Sequence, residues 1–313
     1  MNITEEISDL KTQHNLRFDE NLYISLTLTL ISSRHVIITT DDITKTLNET
    51  IMIIDTIWGI PASVICFDSE YQYTEAEIHQ FFITGNDKLS PVYILIGLEK
   101  LSVILQKVVL QIIKRKYLKN DIEGQVYGSH EELFSFITIC GADEEGFDKF
   151  YWYLRSEFWF KQHHTIQDQE QLQLPTSKEP ILPDKWSSLY KLRPQIPQIT
   201  ILPELQRYIY DLIVHVRNHR VTHGGLPTRS IADLIYLTQA LTLIFKKVSF
   251  VVPNMVKLAF RKYTPCHLRL IEKAEWEPSL RWGGDVKVAA ELIRRVSVEH
   301  VVEHVLNMVS VPI

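Results

Sequence analysis

Apolar residues recur at helical spacing from Leu205 to Leu270, in the most regular part of the 313-residue chain. This spacing predicts three amphipathic helices. Gly224 and Pro227 separate the first two helices, while Pro253 lies near the first turn of the third and Pro265 is predicted to end it. Three helices make a small unit, so we expect them to pack on a larger domain.

The first half of the chain alternates between short apolar runs and helical patterns. Asn21–Ser33 is predicted to be a helix, although its threonines leave a strand open, and Ile43–Trp58 is predicted to be a second helix. Alternation of strands and helices predicts an α/β fold with a mostly parallel, three-layer sheet. The runs typical of buried strands are His35–Ile38, Ala62–Phe67, Val92–Ile96 and Phe134–Cys140.

Changes in composition divide the chain into five segments. We expect a polar lead-in and a linker rich in glutamine and proline, placed around two folded parts and a C-terminal loop with one helix. In chain order these are the lead-in 1–20, the α/β domain 21–161, the linker 162–200, the helical domain 201–275 and the C-terminal segment 276–313.

Composition and charge exclude several classes of function. With 45% hydrophobic and 23% charged residues the chain is typical of globular proteins, and a formal net charge of -5 argues against direct nucleic-acid binding. No apolar run reaches a membrane span, so no membrane association is expected. Cys66, Cys140 and Cys266 lie far apart in apolar surroundings, which predicts buried, reduced thiols and a cytoplasmic or nuclear protein.

The helical segment resembles the lid of AAA+ ATPases of the MoxR/magnesium chelatase I-subunit group. Lids of that group open one helix with Gly-Ala-Ser-Pro-Arg and the next with Phe-Val-Thr-Pro-Asp-Asp-Val. This chain has Gly-Leu-Pro-Thr-Arg at Gly225–Arg229 and Phe-Val-Val-Pro-Asn-Met-Val at Phe250–Val256. The resemblance makes Arg229 the counterpart of the sensor-2 arginine, whose planar fork suits the terminal phosphate of a nucleotide. A solvated arginine in the first turn of a helix is the alternative.

A second stretch of the same segment is similar to one fungal branch of this group. Gln206–Thr222 resembles the Arg-Arg-Tyr-Ile-Leu-Asp-Ile-Met-Val-His-Leu-Arg-Thr-His-Arg-Leu-Thr of the maintenance of telomere capping protein 2 family. That branch has lost catalytic residues. The resemblance therefore implies a link to chromosome ends but supplies no mechanism.

The resemblance also implies a phosphate-binding loop after the first strand. The family's Gly-Pro-Pro-Gly-Val-Gly-Lys-Thr aligns with Thr39–Thr46, so Lys45 and Thr46 take the places of the phosphate-binding lysine and the magnesium-binding hydroxyl. Every glycine that lets such a loop curl is missing. Asp41 and Asp42 add charge where phosphate would lie, and at about 5 Å and a dielectric of about 20 each unit-charge pair costs roughly 3 kcal/mol. A turn capped by one of these aspartates is the alternative.

Two other parts of the expected nucleotide site also depart from the family. After the third strand Gly97 and Leu98 replace the acidic pair that holds magnesium and activates water, although a one-residue shift would let Glu99 serve as the activating carboxylate. Glu157 replaces the arginine finger, with Arg155 two positions away. Glu99 and Arg155 are therefore predicted to be vestigial.

These departures predict a pseudo-ATPase, meaning an AAA+-derived protein that does not hydrolyse ATP and acts as a scaffold or assembly subunit. Lys45, Thr46 and Arg229 would form a remnant nucleotide site, with no cofactor and no metal expected. Protein partners are expected, and the ring-forming relatives make an oligomer compatible with this function. The alternative is an ATP-dependent MoxR or magnesium chelatase-like subunit that binds ATP and magnesium and also uses Glu99.

Two further patterns are set aside. The histidines spaced four apart lack a third and a fourth ligand, so they do not predict a metal site. The aromatic stretch Phe147–Phe160 resembles a base-stacking platform, but it has few basic residues, which favours a buried core or a partner-binding surface. The histidines in question are His215, His219, His223, His300 and His304.

Overall fold

The structure is a computed structural model. It describes residues 3–14, 16–83, 89–115, 117–119, 126–128, 133–142, 147–165, 180–245 and 249–312. The chain divides into two compact units, the sheet unit Asn2–Pro194 and the helical unit Gln195–Ile313.

A five-stranded parallel sheet forms the centre of the sheet unit. Its spatial order is β2-β3-β6-β1-β7, so β2 and β7 are the edge strands. The inner strands are mostly apolar and buried almost throughout, as expected for parallel strands that are covered on both faces. The predicted α/β class with a parallel sheet is confirmed. The strands are β1 (Val36–Thr40), β2 (Ala62–Cys66), β3 (Val92–Ile96), a separate antiparallel pair β4 (Tyr117–Lys119) and β5 (Val126–Gly128), β6 (Ser135–Gly141) and β7 (Phe160–His164).

Seven α-helices of the described residues belong to the sheet unit. Asp19 caps α2, and Ser33 ends it in the left-handed conformation with φ 47°, so the helix predicted for this segment is confirmed and the strand is not formed. The third helix continues as a π-helical turn, Met52–Ile57. The helices are α1 (Ile3–Gln13), α2 (Glu20–Ser32), α3 (Ile43–Ile51), α4 (Glu75–Phe82), α5 (Val103–Arg115), α6 (Trp152–Arg155) and α7 (Lys185–Leu192).

The N-terminal segment 1–20 is not merely a polar lead-in, because α1 packs into the sheet unit. Ile3, Ile7 and Leu10 are buried at helical spacing. Glu6, on the same helix, accepts hydrogen bonds from the Tyr23 hydroxyl and from the buried ammonium group of Lys185. Three apolar side chains and one partly buried ion pair therefore hold α1 against the sheet unit, although the average composition of the segment is polar.

The predicted linker 162–200 contains regular structure at both ends. β7 runs to His164, because pairing with β1 satisfies its main chain on one side. Towards the other end α7 buries Leu189. The central part of the predicted linker, 166–179, lies outside the described residues.

In its described residues, the helical unit contains the three helices predicted for residues 205–270 and two more. Pro265 does not end the third helix, which continues to His267, because a proline in the last turn removes only one helical hydrogen bond. The single C-terminal helix predicted is instead two helices, and the Ser297 hydroxyl accepts the His300 N–H to cap the second. The helices are α8 (Pro203–Asn218), α9 (Ser230–Phe245), α10 (Pro253–His267), α11 (Val286–Arg295) and α12 (Val298–Met308).

Cysteine exposure differs from the prediction at one position. Cys140 and Cys266 are buried, but Cys66 is exposed because it lies on the edge strand β2. Within the described ranges, no helix combines the length and the apolar character needed to cross a membrane.

Candidate functional site

The turn between β1 and α3 is the place where a phosphate loop is expected. Only Asp41 and Asp42 separate the end of the strand from the first helical residue. Asp42 has φ -133° and ψ 101°, and its Oδ1 accepts the Lys45 N–H at 3.0 Å. Ser33 is the one non-glycine residue with positive φ in the described ranges, so this turn has no left-handed residue with which to curl around an anion. The observed turn is a strand-to-helix connection capped by an aspartate.

Lys45 and Thr46 both have partners within this turn. The Lys45 ammonium lies 3.6 Å from Asp42 Oδ2, and its side chain is 57% exposed. Thr46 is fully buried, and its hydroxyl lies 2.7 Å from the hydroxyl of Thr40. A carboxylate of the protein thus occupies the helix N-terminus, where anions are otherwise favoured.

Glu99 lies just beyond the end of β3, in the short 3-10 helix Leu98–Lys100. Gly97 directly precedes this short helix and has φ 74°. A Cβ at Gly97 would lie 2.5 Å from the Phe67 carbonyl oxygen. Glu99 is buried, and its Oε2 has no hydrogen-bond partner among the described residues. Burial raises the pKa of its carboxyl group above the usual range, against the opposing effect of Lys100.

Arg155 is enclosed by aromatic rings. Its guanidinium lies 4.6 Å from the ring centroid of Phe147 and 4.7 Å from that of Trp152. One guanidinium nitrogen lies 3.5 Å from Asp148. Such contacts are typical of a buried arginine that stabilises local packing.

Arg229 lies in the helical unit, at the start of α9. Its Nε is 3.6 Å from Asp233 Oδ2, and the Tyr263 hydroxyl is 3.4 Å from the same oxygen. The Tyr263 hydroxyl also lies 3.0 Å from Ser230 Oγ, and burial raises the pKa of the phenol. The arginine side chain is 39% exposed, so part of the guanidinium faces solvent.

An ionic cluster that the sequence did not reveal lies close to the β1–α3 turn. His164, the last residue of β7, is paired in register with Thr40, the last residue of β1. His164 Nε2 lies 3.1 Å from Glu49 Oε2, and Nδ1 lies 3.8 Å from Asp19 Oδ1. The Asp19 N–H donates to Glu49 Oε1 at 2.5 Å. Three segments, the start of α2, α3 and the end of β7, are thereby joined.

The two carboxylates change the protonation of this histidine. Burial alone would lower the pKa of His164, but Asp19 and Glu49 outweigh that effect and raise it to about 9. Burial likewise opposes ionisation of Asp19, yet His164 and the Leu22 N–H lower the pKa of that carboxyl. At neutral pH the cluster therefore holds an imidazolium between two carboxylates. The only sequence signal was the adjacent pair His163 and His164, which begins three residues after Phe160.

The structure brings together some of the predicted site residues and separates others. Lys45 and Thr46 share one helical turn, Glu99 and Arg155 lie on other elements of the sheet unit, and Arg229 belongs to the helical unit. No group of three or more His, Cys, Asp or Glu side chains in the described ranges is arranged to hold a metal ion. The aromatic stretch is mostly core, with buried residues Phe147, Phe150, Phe158, Trp159 and Phe160.

Comparison with known proteins gives relatives for part of the chain. No family model matches it. It is 33% identical over 147 residues to maintenance of telomere capping protein 2 of Kluyveromyces lactis. The matched stretch is 46% of this chain and 47% of that protein. The proteins of the same name are 36% identical over 110 residues in Lachancea thermotolerans (34% and 38% covered) and 32% over 133 residues in Saccharomyces cerevisiae (41% and 35%). The matches span less than half the length of these relatives.

Comparison with a solved structure shows the fold. A candidate ATPase from Cytophaga hutchinsonii superimposes with a TM-score of 0.73, covering 99% of this chain and 94% of that one, at 15% sequence identity. The chain has an AAA+-like fold. At this identity the likeness concerns the architecture and not the chemistry.

Proposed function

We propose that this protein is a pseudo-ATPase, an AAA+-derived scaffold or assembly subunit that does not hydrolyse ATP. The observation that carries the proposal is the capped turn between β1 and α3. Asp42 Oδ1 accepts a hydrogen bond from the Lys45 N–H at 3.0 Å, and Asp42 Oδ2 lies 3.6 Å from the Lys45 ammonium nitrogen. The groups that would bind phosphate are therefore paired with a carboxylate of the same turn.

The residues present do not fit magnesium and ATP. The turn has two residues and no glycine, and the Thr46 hydroxyl, the counterpart of a magnesium ligand, is buried against Thr40. Gly97 and Leu98 supply no carboxylate after β3. Magnesium needs an oxygen-rich shell, and phosphoryl transfer depends on that ion to neutralise developing charge.

Calorimetry and thermal unfolding with magnesium and ATP test this proposal. A site with a dissociation constant one hundredfold below the ATP concentration would add about 2.7 kcal/mol to the free energy of unfolding. We expect no heat of binding and no rise in the unfolding midpoint up to millimolar ATP. Tight binding that disappears in Lys45→Ala would contradict the proposal.

A reciprocal variant sharpens the result. Replacing both Asp41 and Asp42 by glycine removes two negative charges and supplies positive-φ freedom to the turn. We expect this variant to gain measurable affinity for ATP if the aspartates are what closes the site. Asp41→Asn is the matched control, because Asp42 still caps the helix.

One observation favours the alternative of an ATP-dependent subunit. Glu99 is a buried carboxyl group with a raised pKa at the end of a central strand, and such groups are enriched at catalytic sites. Under this alternative Glu99 would activate water for a nucleotide bound by Lys45 and Thr46. ATP hydrolysis by the wild type that is lost in Glu99→Gln would support it.

We further propose that the scaffold acts in telomere capping, in the nucleus and with protein partners. The support is the name shared by the fungal relatives, at 32–36% identity over part of the chain. A tagged protein should be recovered with chromosome ends after crosslinking, and its deletion should expose those ends. A tagged protein found only in the cytoplasm would contradict this assignment.

A further inference from the structure

The edge strand β2 is left open by the fold. It pairs in parallel with β3 through the register Ala62↔Val92 to Cys66↔Ile96, and no described strand pairs with its other side. Its sequence, Ala-Ser-Val-Ile-Cys, has no charged residue or proline, which are the usual devices for protecting an edge. Val64 is 42% exposed, and Cys66 is also exposed. An unprotected apolar edge is suited to pairing with another extended chain.

The outward-facing main-chain groups can be assigned. The Phe67 N–H donates to the Ile96 carbonyl at 2.8 Å, so Phe67 faces β3. Because direction alternates along a strand, the main-chain groups of Val64 and Cys66 point to the open side. Further on, the Asp68 N–H donates to the Tyr73 hydroxyl at 2.8 Å, which closes the edge after Phe67. The open stretch thus offers about five residues, or roughly 17 Å, for pairing.

A cluster of aromatic rings borders this edge. The Phe67 ring lies 5.8 Å from Tyr73 and 6.2 Å from Phe81, and Tyr71 lies 4.7 Å from Tyr73 between ring centroids. Tyr71 is 54% and Phe81 39% exposed. Exposed aromatic faces of this kind attract ammonium and guanidinium groups.

The formal charges of the segment that carries the cluster, residues 60–83, have one sign. Asp68, Glu70 and Glu75 are exposed, and Glu77 is held by the Tyr71 hydroxyl at 2.7 Å and by the Thr74 N–H at 2.7 Å. No lysine or arginine occurs from Ile60 to Ile83. The surface therefore combines an open strand edge, aromatic rings and an acidic rim.

We propose that β2 and this acidic aromatic rim form a docking site for a short, basic, extended segment of a partner protein. The segment adds a strand beside Val64 and Cys66, and its lysine or arginine side chains lie over Tyr71 and Phe81 among the carboxylates. Main-chain pairing supplies affinity and the alternate side chains supply specificity. This inference does not depend on the absence of ATP binding.

Charge also decides against a second copy of this chain as the occupant. Pairing β2 with β2 of another copy would bring two acidic rims together, and like charges at an interface disfavour association. The acidic rim would attract a basic segment and repel a second copy of this chain.

Fluorescence anisotropy with a defined peptide tests the proposal on the 313-residue chain. The probe is a labelled peptide of about ten residues with alternating valine and lysine. We expect saturable binding that weakens about tenfold or more as salt rises, because exposed charges are screened. A peptide with glutamate in place of lysine should not bind. A peptide methylated on alternate backbone nitrogens should lose most of its affinity, because it keeps its charge but cannot complete the ladder.

Two protein variants locate the site. Val64→Pro removes an outward N–H without touching the hydrogen bonds to β3, and Glu70→Lys with Glu75→Lys reverses the exposed rim. Both should weaken peptide binding about tenfold or more. The unfolding midpoint should be unchanged for Val64→Pro and slightly lower for the charge reversal, because Glu75 lies in the first turn of α4, where a carboxylate is favoured. No binding of the lysine peptide, equal binding of the methylated peptide, or affinity unaffected by both variants would each overturn the proposal. A dimer of this chain that Val64→Pro disrupts would also overturn it in favour of self-association.

Discussion

The β1–α3 turn and the β2 edge belong to one sheet but differ in how their polar groups are satisfied. At the β1–α3 turn Asp42 and Lys45 pair with each other, and the Thr40 and Thr46 hydroxyls do the same. At the β2 edge the main-chain groups of Val64 and Cys66 have no described strand beside them. Polar groups that are satisfied internally contribute to stability, whereas those left open are free to contribute to binding. Substitutions at the two places should therefore change different measured quantities.

The largest effect is expected for His164→Ala, next to the turn. Removing the imidazolium leaves Glu49 and Asp19 facing each other in a buried site, which should cost about 3–5 kcal/mol in the free energy of unfolding. Urea denaturation measures this. His163→Ala is the matched control, because the neighbouring histidine is exposed and a much smaller change is expected. Equal losses for the two variants would mean that the ion pairs of His164 with Glu49 and Asp19 do not stabilise the fold.

The pH dependence of stability should report the same cluster. The pKa of His164 is raised to about 9 in the folded protein from about 6.5 when unfolded, so its stabilising contribution is complete below pH 6.5 and is lost as pH rises through about 9. The loss is on the order of 3 kcal/mol. Denaturation of the wild type and His164→Asn at several pH values isolates the contribution of the cluster, because titrating groups outside the cluster cancel in the difference. A difference that stays constant from pH 6 to about 9.5 would contradict the assignment.

A smaller loss is expected inside the turn from Thr46→Val. The substitution keeps the shape of the side chain but removes the buried hydroxyl that lies 2.7 Å from Thr40 Oγ1. Losing one buried hydrogen bond should cost about 1–2 kcal/mol, while Thr46→Ser should retain most of the stability. Thermal or urea denaturation measures both. A neutral effect of Thr46→Val would reopen a role for this hydroxyl in ligand binding.

The smallest change in stability is expected at the edge. Val64→Lys adds a charge to a side chain that is 42% exposed, so the free energy of unfolding should stay within about 0.5 kcal/mol. The same variant should lose affinity for the basic peptide through charge repulsion. A loss of stability above about 1 kcal/mol would show instead that Val64 is packed against the protein. The edge would then be closed rather than open.

The central strands and the helices α8–α10 were predictable because their signals are local. β1, β3 and β6 are short apolar runs with clear ends, and these helices carry apolar residues at helical spacing with glycine or proline between them. The capped turn was one of the two interpretations that the sequence allowed, since aspartate is a frequent helix cap.

The His164 cluster and the β2 edge depend on contacts that are distant in sequence. His164 meets Asp19 and Glu49 only because β7 pairs with β1, and nothing near His164 in the sequence indicates that pairing. The open side of β2 likewise follows from the order of strands in the sheet. The helix α1 was missed for a different reason, since its three buried side chains are diluted by acidic neighbours.

The position of β1 between β6 and β7 also has a consequence for how the chain folds during synthesis. Both partners of β1 follow it by about a hundred residues or more, as the pairs Val36↔Ile137 and Val36↔Phe160 show. Such distant pairing slows folding because the connecting loop must close first. At about 5–20 residues per second the ribosome needs about 5 to 25 seconds to make that stretch, during which the apolar run of β1 stays unpaired. Chaperones that bind nascent apolar strands would have their longest opportunity on this segment.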